Sequence, residues 1–202
     1  MTRVAVLIYD GFDELDAVGP YETFHAAAGR GADIDASLVT LEPRDRVRAS
    51  HGMVVEPHGV LPDPDGADAP DLLVVPGGGW NDRSEEGAWA EAERGVVPDA
   101  VAAHHAAGAT VASVCTGGML LARAGLLDGR PAVTHRGALD DLRETGARVV
   151  EQRVVDDGDV VTAGGITSGI DLALHLVERY AGAATAEAVA DNLEYVRGSG
   201  PV

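Results

Sequence analysis

Uninterrupted apolar runs, separated by amphipathic and glycine-rich stretches, recur along most of the chain. Such runs, without polar alternation, are typical of strands buried on both faces of a parallel sheet. They predict strands at residues 3–9, 34–41, 71–75 and 109–114. Helical patterns predict helices at residues 14–29, 81–108 (broken around Gly95 and Pro98), 116–124, 137–146, 166–180 and 184–193. Two hairpins are predicted, at residues 46–56 and 154–162.

Strands that alternate with helices predict an α/β fold. We expect a doubly wound, mainly parallel sheet with helices on both faces, of the flavodoxin-like kind. No repeat, linker or shift in composition divides the chain, so one domain over residues 1–202 is predicted. In such a sheet, ligands bind beyond the carboxyl ends of the strands, at a topological switch point.

The only cysteine of the chain, Cys115, lies between a predicted strand and a predicted helix with almost no linker. A turn this sharp needs small neighbours, which Ser113, Thr116, Gly117 and Gly118 supply. This is the geometry of a nucleophile elbow, with cysteine in place of serine. The helix N-terminus that follows favours a thiolate, so we expect the pKa of Cys115 to lie below its usual value of about 8.5. The alternative is a buried, unreactive thiol.

Two other predicted strands end in loops that carry candidate chemistry. Asp16 follows the first strand and either caps the next helix or acts as a carboxylic acid beside Cys115. Gly77 and Gly78 follow the third strand, either as plain turn residues or as backbone that approaches an anion closely. His135 is either a polar residue at the end of an extended segment or a partner of the cysteine.

Charge narrows the range of partners. The chain has 33 acidic and 15 basic residues, a formal net charge of −18, and every basic residue is an arginine. This balance argues against binding to nucleic acid or to an anionic membrane. No secretory signal and no apolar run long enough to span a membrane is found in the sequence. A single cysteine allows no intrachain disulfide, so a cytoplasmic location is expected.

Six motifs, taken in order, resemble the ThiJ/PfpI superfamily, which has the class I glutamine-amidotransferase-like fold. They span essentially the whole chain: LDAVGP at 15–20, VPGG at 75–78, SVCTG at 113–117, AGLLDG at 124–129, TH at 134–135 and GGITSGID at 164–171. The pattern is most similar to the isonitrile hydratase branch. In that branch an aspartate stands in the first motif and a threonine follows the cysteine.

The resemblance implies a cysteine-dependent enzyme that hydrates an isonitrile to an N-substituted formamide. It implies that Cys115 is the nucleophile and Asp16 its carboxylic acid partner. Backbone N–H groups of Gly78 and Thr116 would stabilise the developing charge. A thiolate close to Asp16 disfavours a second negative charge, so we expect the pKa of Asp16 to be raised. Were Asp16 structural, Glu14 would be the nearest alternative carboxylate in the sequence.

Gly77, His135 and Arg136 are implied as substrate-binding residues. The hydratase branch usually has tryptophan where this chain has Arg136, which changes the size and polarity of the pocket. No metal or other cofactor is expected, because the seven histidines show no ligand spacing such as His-x-x-x-His. The partners implied are a small-molecule substrate and a second copy of the chain in a homodimer.

The same residues are also compatible with three other activities. They are glyoxalase-like hydration of 2-oxoaldehydes, amide hydrolysis, and redox or stress sensing through oxidation of Cys115. Similar motifs occur in the N-terminal domains of AraC-type regulators, which continue into a helix-turn-helix domain. This chain ends at Val202 and its charge opposes DNA, so a regulator is not expected.

The acidic composition fits either a high-salt cytoplasm or a GC-rich genome. In a halophilic protein, self-repulsion destabilises the fold at low ionic strength and salt screens it. We therefore expect the Tm in thermal denaturation to rise from dilute buffer to molar salt. A flat or falling curve would favour the genomic explanation.

Overall fold

The computed structural model describes residues 1–198, and residues 199–202 of the predicted domain lie outside that range. The strands are β1 Thr2–Leu7, β2 Ile34–Thr40, β3 Val47–Arg48, β4 Val54–Val55, β5 Gly59–Val60, β6 Leu72–Val75, β7 Thr110–Ser113, β8 Pro131–Ala132, β9 Arg148–Val149, β10 Val154–Asp156 and β11 Val160–Ala163. The helices are α1 Glu14–Ala28, α2 Ala88–Arg94, α3 Val96–Ala106, α4 Gly117–Arg123, α5 Leu139–Arg143, α6 Ser168–Ala181 and α7 Ala183–Asn192.

Seven strands form the central sheet in the order β10-β11-β7-β6-β1-β2-β5. Every neighbouring pair is parallel except β10 and β11, which form one of the predicted hairpins. β6 is buried along its whole length, as its uninterrupted leucine and valine residues require in a covered sheet. The prediction of a mainly parallel, flavodoxin-like α/β fold is therefore confirmed. The other predicted hairpin is the antiparallel pair β3 and β4.

Two groups of helices cover the sheet. Helices α1, α6 and α7 pack against one another, and helices α2, α3 and α4 form a second group. The chain moves from β1 to β2 in one direction along the sheet, and from β6 through β7 to β11 in the other. Right-handed crossovers in opposite directions place the two groups on opposite faces of the sheet. The sheet is therefore doubly wound, as predicted.

Two local predictions differ from the structure. Residues 81–87 form turns, and the helix begins only at Ala88. Gly87 has a φ of 94° and its N–H donates to Asp10 O at 2.8 Å, so the loop after β1 holds this segment. Pro98 does not break α3, because it lies in the first turn, where its missing N–H has no intrahelical partner to lose. Strand β5 has only two residues, too few to show a pattern.

The reversal of strand order between β1 and β6 creates the topological switch point. The loops after β1, β6 and β7 meet there, at the carboxyl ends of their strands. Asp13 N–H, after β1, donates to Gly77 O, after β6, at 2.8 Å. A Cβ on Gly77 would lie 2.5 Å from the backbone nitrogen of Thr116, after β7. The fold thus joins the three loops that the sequence marked for chemistry.

Gly117→Ala is expected to destabilise the fold, although alanine favours helices. The added Cβ would lie 2.1 Å from Val75 O and 2.8 Å from Pro76 O, and both are backbone atoms. Overpacking typically costs about 1–3 kcal/mol. In a chain of this size each 1 kcal/mol lowers the Tm by about 2–4 °C, so thermal denaturation should show a fall of several degrees.

The matched control for this change is Gly59→Ala in β5. An added Cβ there has no atom within 4 Å, so the Tm should stay nearly constant. Equal Tm values for Gly117→Ala and wild type would contradict the close packing of the loop after β6 on α4.

Candidate active site

Cys115 lies directly after β7 on a strained turn. Its φ is 57°, in the left-handed region, where a non-glycine residue costs about 1–3 kcal/mol. Cys115 N–H donates to Gly164 O at 2.9 Å, and Gly117 N–H donates to Val114 O at 2.9 Å. Thr134 Oγ1 also donates to Cys115 O, at 2.8 Å. These bonds hold the cysteine in the geometry of a nucleophile elbow.

The loop after β6 packs directly on this elbow. Gly78 N–H donates to Thr116 Oγ1 at 2.9 Å. Gly78 also has a φ of 121°, a conformation that glycine alone adopts readily. The resemblance to the family implies that the Gly78 amide stabilises developing charge. In this structure it stabilises the elbow instead, because its hydrogen is already bonded.

Asp16 is a buried residue in the first turn of α1, with 0 % of its surface exposed. The N-cap of α1 is Asp13, whose side chain accepts from Leu15 N–H at 3.2 Å, so the interpretation of Asp16 as the cap is wrong. Asp16 Oδ2 accepts from Gly77 N–H at 3.0 Å, which leaves that amide bonded to Asp16 and not to a substrate. Asp16 Oδ1 has no hydrogen-bond partner among residues 1–198.

Burial raises the pKa of Asp16 to about 8, and the charge of Asp13 adds to the rise. The Gly77 N–H, which is bonded to Oδ2, and the nearby Cys115 thiol act in the opposite direction but more weakly. The predicted rise is confirmed in direction, although burial and not a thiolate is its largest cause. At neutral pH the Asp16 carboxyl is therefore mostly protonated, and it can donate a proton to a group beside Cys115.

Burial also raises the pKa of the Cys115 thiol well above its usual range, and the charge of Asp16 adds to this. Only 6 % of the cysteine is exposed. The prediction of a lowered thiol pKa is wrong, because the short helix α4 does not offset the loss of hydration. Since each group affects the ionisation of the other, Asp16 and Cys115 titrate as one pair.

Ile166 is a site residue that the sequence analysis missed. The N–H groups of Ile166 and Thr116 face the Cys115 sulfur and favour its charged form. Ile166 has a φ of 45°, strained for a β-branched residue. The signal in the sequence was the pair Gly164-Gly165, which lets this loop approach the elbow. Two N–H donors are thus available for negative charge at the sulfur.

His135 is oriented by bonds to one ring nitrogen. Its Nδ1 accepts from Gly137 N–H at 3.1 Å and lies 3.2 Å from Asn81 Nδ2. Because Nδ1 is an acceptor, the proton of the neutral ring lies on Nε2. The ring packs against Gly165, where an added Cβ would be 2.5 Å from His135 Cδ2. His135 is therefore arranged to donate from Nε2, and not to act as a base through Nδ1.

A groove of about 690 Å³ opens beside the elbow. Its lining includes His135, Arg136 and the segment 164–166. The same segment contacts the nucleophile, because Gly164 O accepts the Cys115 N–H and Ile166 N–H faces the sulfur. The structure thus places His135 and Arg136 in the lining of a cavity that shares the segment 164–166 with the elbow, whereas Cys115 and Asp16 do not line it.

Glu14, the alternative carboxylate, is bonded elsewhere. Its Oε2 lies 2.6 Å from His51 Nδ1, and its Oε1 accepts from His51 N–H at 2.8 Å. These bonds tie α1 to the turn between β3 and β4. Glu14 is therefore bonded away from Cys115, whereas burial, then the charge of Asp16 and, with a smaller effect, that of Asp13 raise the pKa of the thiol.

The described part of the chain contains no group of three or more His, Cys, Asp or Glu residues placed to hold a metal ion. His105 and His175 each contact one carboxylate, of Asp159 and Asp156 respectively. Among residues 1–198, no helix combines the length and the apolar character needed to cross a membrane.

Comparison with known proteins finds relatives along most of the chain. The profile of the DJ-1/PfpI family matches residues 2–179. Isonitrile hydratase of Pseudomonas putida is 35% identical over 195 residues, 96% of this chain and 78% of that protein. A deglycase of Thermococcus kodakarensis is 29% identical over 163 residues, 80% of this chain and 89% of that protein. The crystal structure of a ThiJ/PfpI family protein from Pseudomonas syringae has a TM-score of 0.80 at 28% identity, covering 98% of this chain and 76% of that one.

Asp16→Asn is expected to stabilise the fold by an amount that grows as the pH rises from about 5 to about 8. The folded-state pKa of Asp16 is about 8, whereas an unfolded aspartate has a pKa of about 3.9. Between these values the folded state holds one proton more, so stability falls as the pH rises. The free energy of unfolding of the wild type falls by up to about 1.4 kcal/mol per pH unit in this range. The Asp16→Asn variant does not show this fall, because asparagine does not ionise.

Urea denaturation at several pH values measures this difference in the free energy of unfolding. Asp10→Asn is the control, because Arg48 N–H and the Arg44 guanidinium lower the pKa of Asp10 despite its partial burial. Asp10 is ionised in both states across the window, so its effect should not vary with pH. If the difference in the free energy of unfolding between Asp16→Asn and wild type were also the same at every pH, the raised pKa of Asp16 would be contradicted.

Proposed function

The chain belongs to the DJ-1/PfpI family, and we propose that it is a cysteine-dependent hydratase that converts an isonitrile and water into an N-substituted formamide. One observation carries the proposal. A fully buried carboxyl group, that of Asp16, is bonded to Gly77 in the loop that packs on the Cys115 elbow, and its burial raises its pKa. The 35% identity with isonitrile hydratase of Pseudomonas putida supports the same chemistry.

The first half of the reaction joins Cys115 to the terminal carbon of the isonitrile. The reactive pair holds one proton, which is on Asp16 when the sulfur is a thiolate. The sulfur lone pair forms the S–C bond, and the Asp16 proton passes to the same carbon. A thioimidate and the Asp16 carboxylate result. Before the attack, the N–H groups of Thr116 and Ile166 stabilise the thiolate.

The second half uses the carboxylate that the first half leaves. Asp16 accepts a proton from water while the water oxygen adds to the thioimidate carbon. The tetrahedral intermediate passes its hydroxyl proton to nitrogen, and the C–S bond breaks. The formamide and the Cys115 thiolate are released, and Asp16 is protonated again. Proton transfer by a positioned side chain typically contributes about 10²–10⁴-fold to the rate.

The geometry argues against two of the other activities. Amide hydrolysis commonly pairs the cysteine with a histidine base, whereas His135 Nδ1 already accepts from Gly137 N–H. Redox sensing favours an accessible cysteine with a low pKa, whereas Cys115 is 6 % exposed and its pKa is raised. Glyoxalase-like hydration of 2-oxoaldehydes would use the same pair. Because the chain is similar to a deglycase, hydration of 2-oxoaldehydes is the second candidate activity.

A panel of small isonitriles, 2-oxoaldehydes and amides separates the candidates. We expect the wild-type protein to convert isonitriles to formamides, detected by NMR, and Cys115→Ala to convert none. Consumption of 2-oxoaldehydes alone would establish the second candidate. Turnover of none of the three classes would contradict an enzymatic role for the pair.

Asp16→Asn is expected to lower kcat/KM on the isonitrile about 10²–10⁴-fold, because asparagine has the same shape but no transferable proton. The wild-type kcat/KM should rise with pH up to about 8, where the pair loses its first proton. Asp10→Asn is the control, because Asp10 is bonded to Arg44 and to Arg48 N–H and is not among the groups that shift the pKa of Asp16 or Cys115. Retention of most activity by Asp16→Asn would contradict the mechanism.

A further inference from the structure

The groove beside the elbow contains a positive charge without a partner. Arg136 is exposed and lies in the lining. Two other charged residues of the lining are paired: Arg153 Nε lies 2.6 Å from Asp171 Oδ2, and Glu151 Oε1 lies 3.3 Å from Arg143 Nη2. Within the described residues, Arg136 has no carboxylate at ion-pair distance. Its guanidinium is therefore available to a ligand in the groove.

His135 adds a second donor to the same groove. Its Nδ1 accepts from Gly137 N–H, so the proton of the neutral ring lies on Nε2, which has no acceptor among residues 1–198. The lining also includes Thr167 and Ser168, at the N-terminus of the 14-residue helix α6, the positive end of its dipole. These features favour an anion, and a carboxylate best matches the planar fork of an arginine.

We propose that this groove binds a carboxylate of the substrate, so that the molecules that react at Cys115 are isonitriles that carry a carboxylate group. The identity of the reacting group rests on the function proposed above. The segment 164–166 lines the groove and also contacts the elbow, since Gly164 O accepts the Cys115 N–H and Ile166 N–H faces the sulfur. In the proposed binding mode, the isonitrile carbon lies at Cys115 and the carboxylate at Arg136. The net charge of −18 repels anions at long range, and recognition therefore depends on this local positive charge.

The first test compares isocyanoacetate and isocyanopropanoate with their neutral methyl esters. We expect the wild-type protein to have a kcat/KM at least about tenfold higher for a carboxylate than for its ester, as one charge-assisted hydrogen bond supplies. Arg136→Gln should lower this ratio about tenfold, mainly through KM. Arg30→Gln is the matched control, because Arg30 is an exposed arginine after the C-terminus of α1 and its side chain bonds only Ala26 O within the described residues.

A second test does not depend on isonitrile chemistry. Iodoacetate and iodoacetamide alkylate a thiol in the same way and differ in charge, so their rate ratio at Cys115 reports an anion site. We expect Arg136→Gln to lower the ratio of iodoacetate to iodoacetamide rates several-fold, and Arg30→Gln to leave it unchanged. This ratio decides the proposal even when no isonitrile is hydrated, an outcome that would refute only the proposed function. Equal ratios of iodoacetate to iodoacetamide rates in wild type and Arg136→Gln would overturn the carboxylate site.

Discussion

Burial of the Asp16 carboxyl group is the constraint on which the rest of the site depends. An ionised carboxylate with no exposed surface is costly, so the folded protein keeps a proton on Asp16 near neutral pH. Its position follows from the first turn of α1, which Asp13 caps, and from the N–H of Gly77. The packing that makes an ionised Asp16 unfavourable for stability is the same packing that keeps a proton on its carboxyl group at neutral pH.

The sequence predicts the parts of this structure that depend on local pattern. Uninterrupted apolar runs identified the buried strands, and small residues around Cys115 identified the sharp turn. Residues 81–87 were wrongly predicted as helical, because a bond from Gly87 N–H to the distant Asp10 outweighs local preference. A local sequence pattern does not reveal contacts between residues that are far apart in the chain. Secondary structure is therefore wrongly predicted where such a contact determines it.

In the candidate site, too, the sequence predicts the local features but not those that depend on packing between distant residues. The pairing of Asp16 with Cys115 was expected, but the direction of the thiol pKa was not, because burial depends on the packing of the whole sheet. The Gly78 N–H is bonded to Thr116 Oγ1, and the N–H of the strained Ile166 faces the Cys115 sulfur, a contact that the sequence does not predict. In the proposed function, chemistry takes place at the elbow, and the groove whose lining includes Arg136 is a separate surface for recognition.

The central claim is that Asp16 and Cys115 ionise as one pair, and titration of the thiolate tests it most directly. Ultraviolet absorbance follows thiolate formation against pH in wild type and Asp16→Asn, with Cys115→Ala as the blank. Removing the neighbouring carboxylate removes one cause of the raised thiol pKa, so the Asp16→Asn titration should move to lower pH. Superimposable titrations of the two proteins would show that the groups are not coupled and would contradict the account.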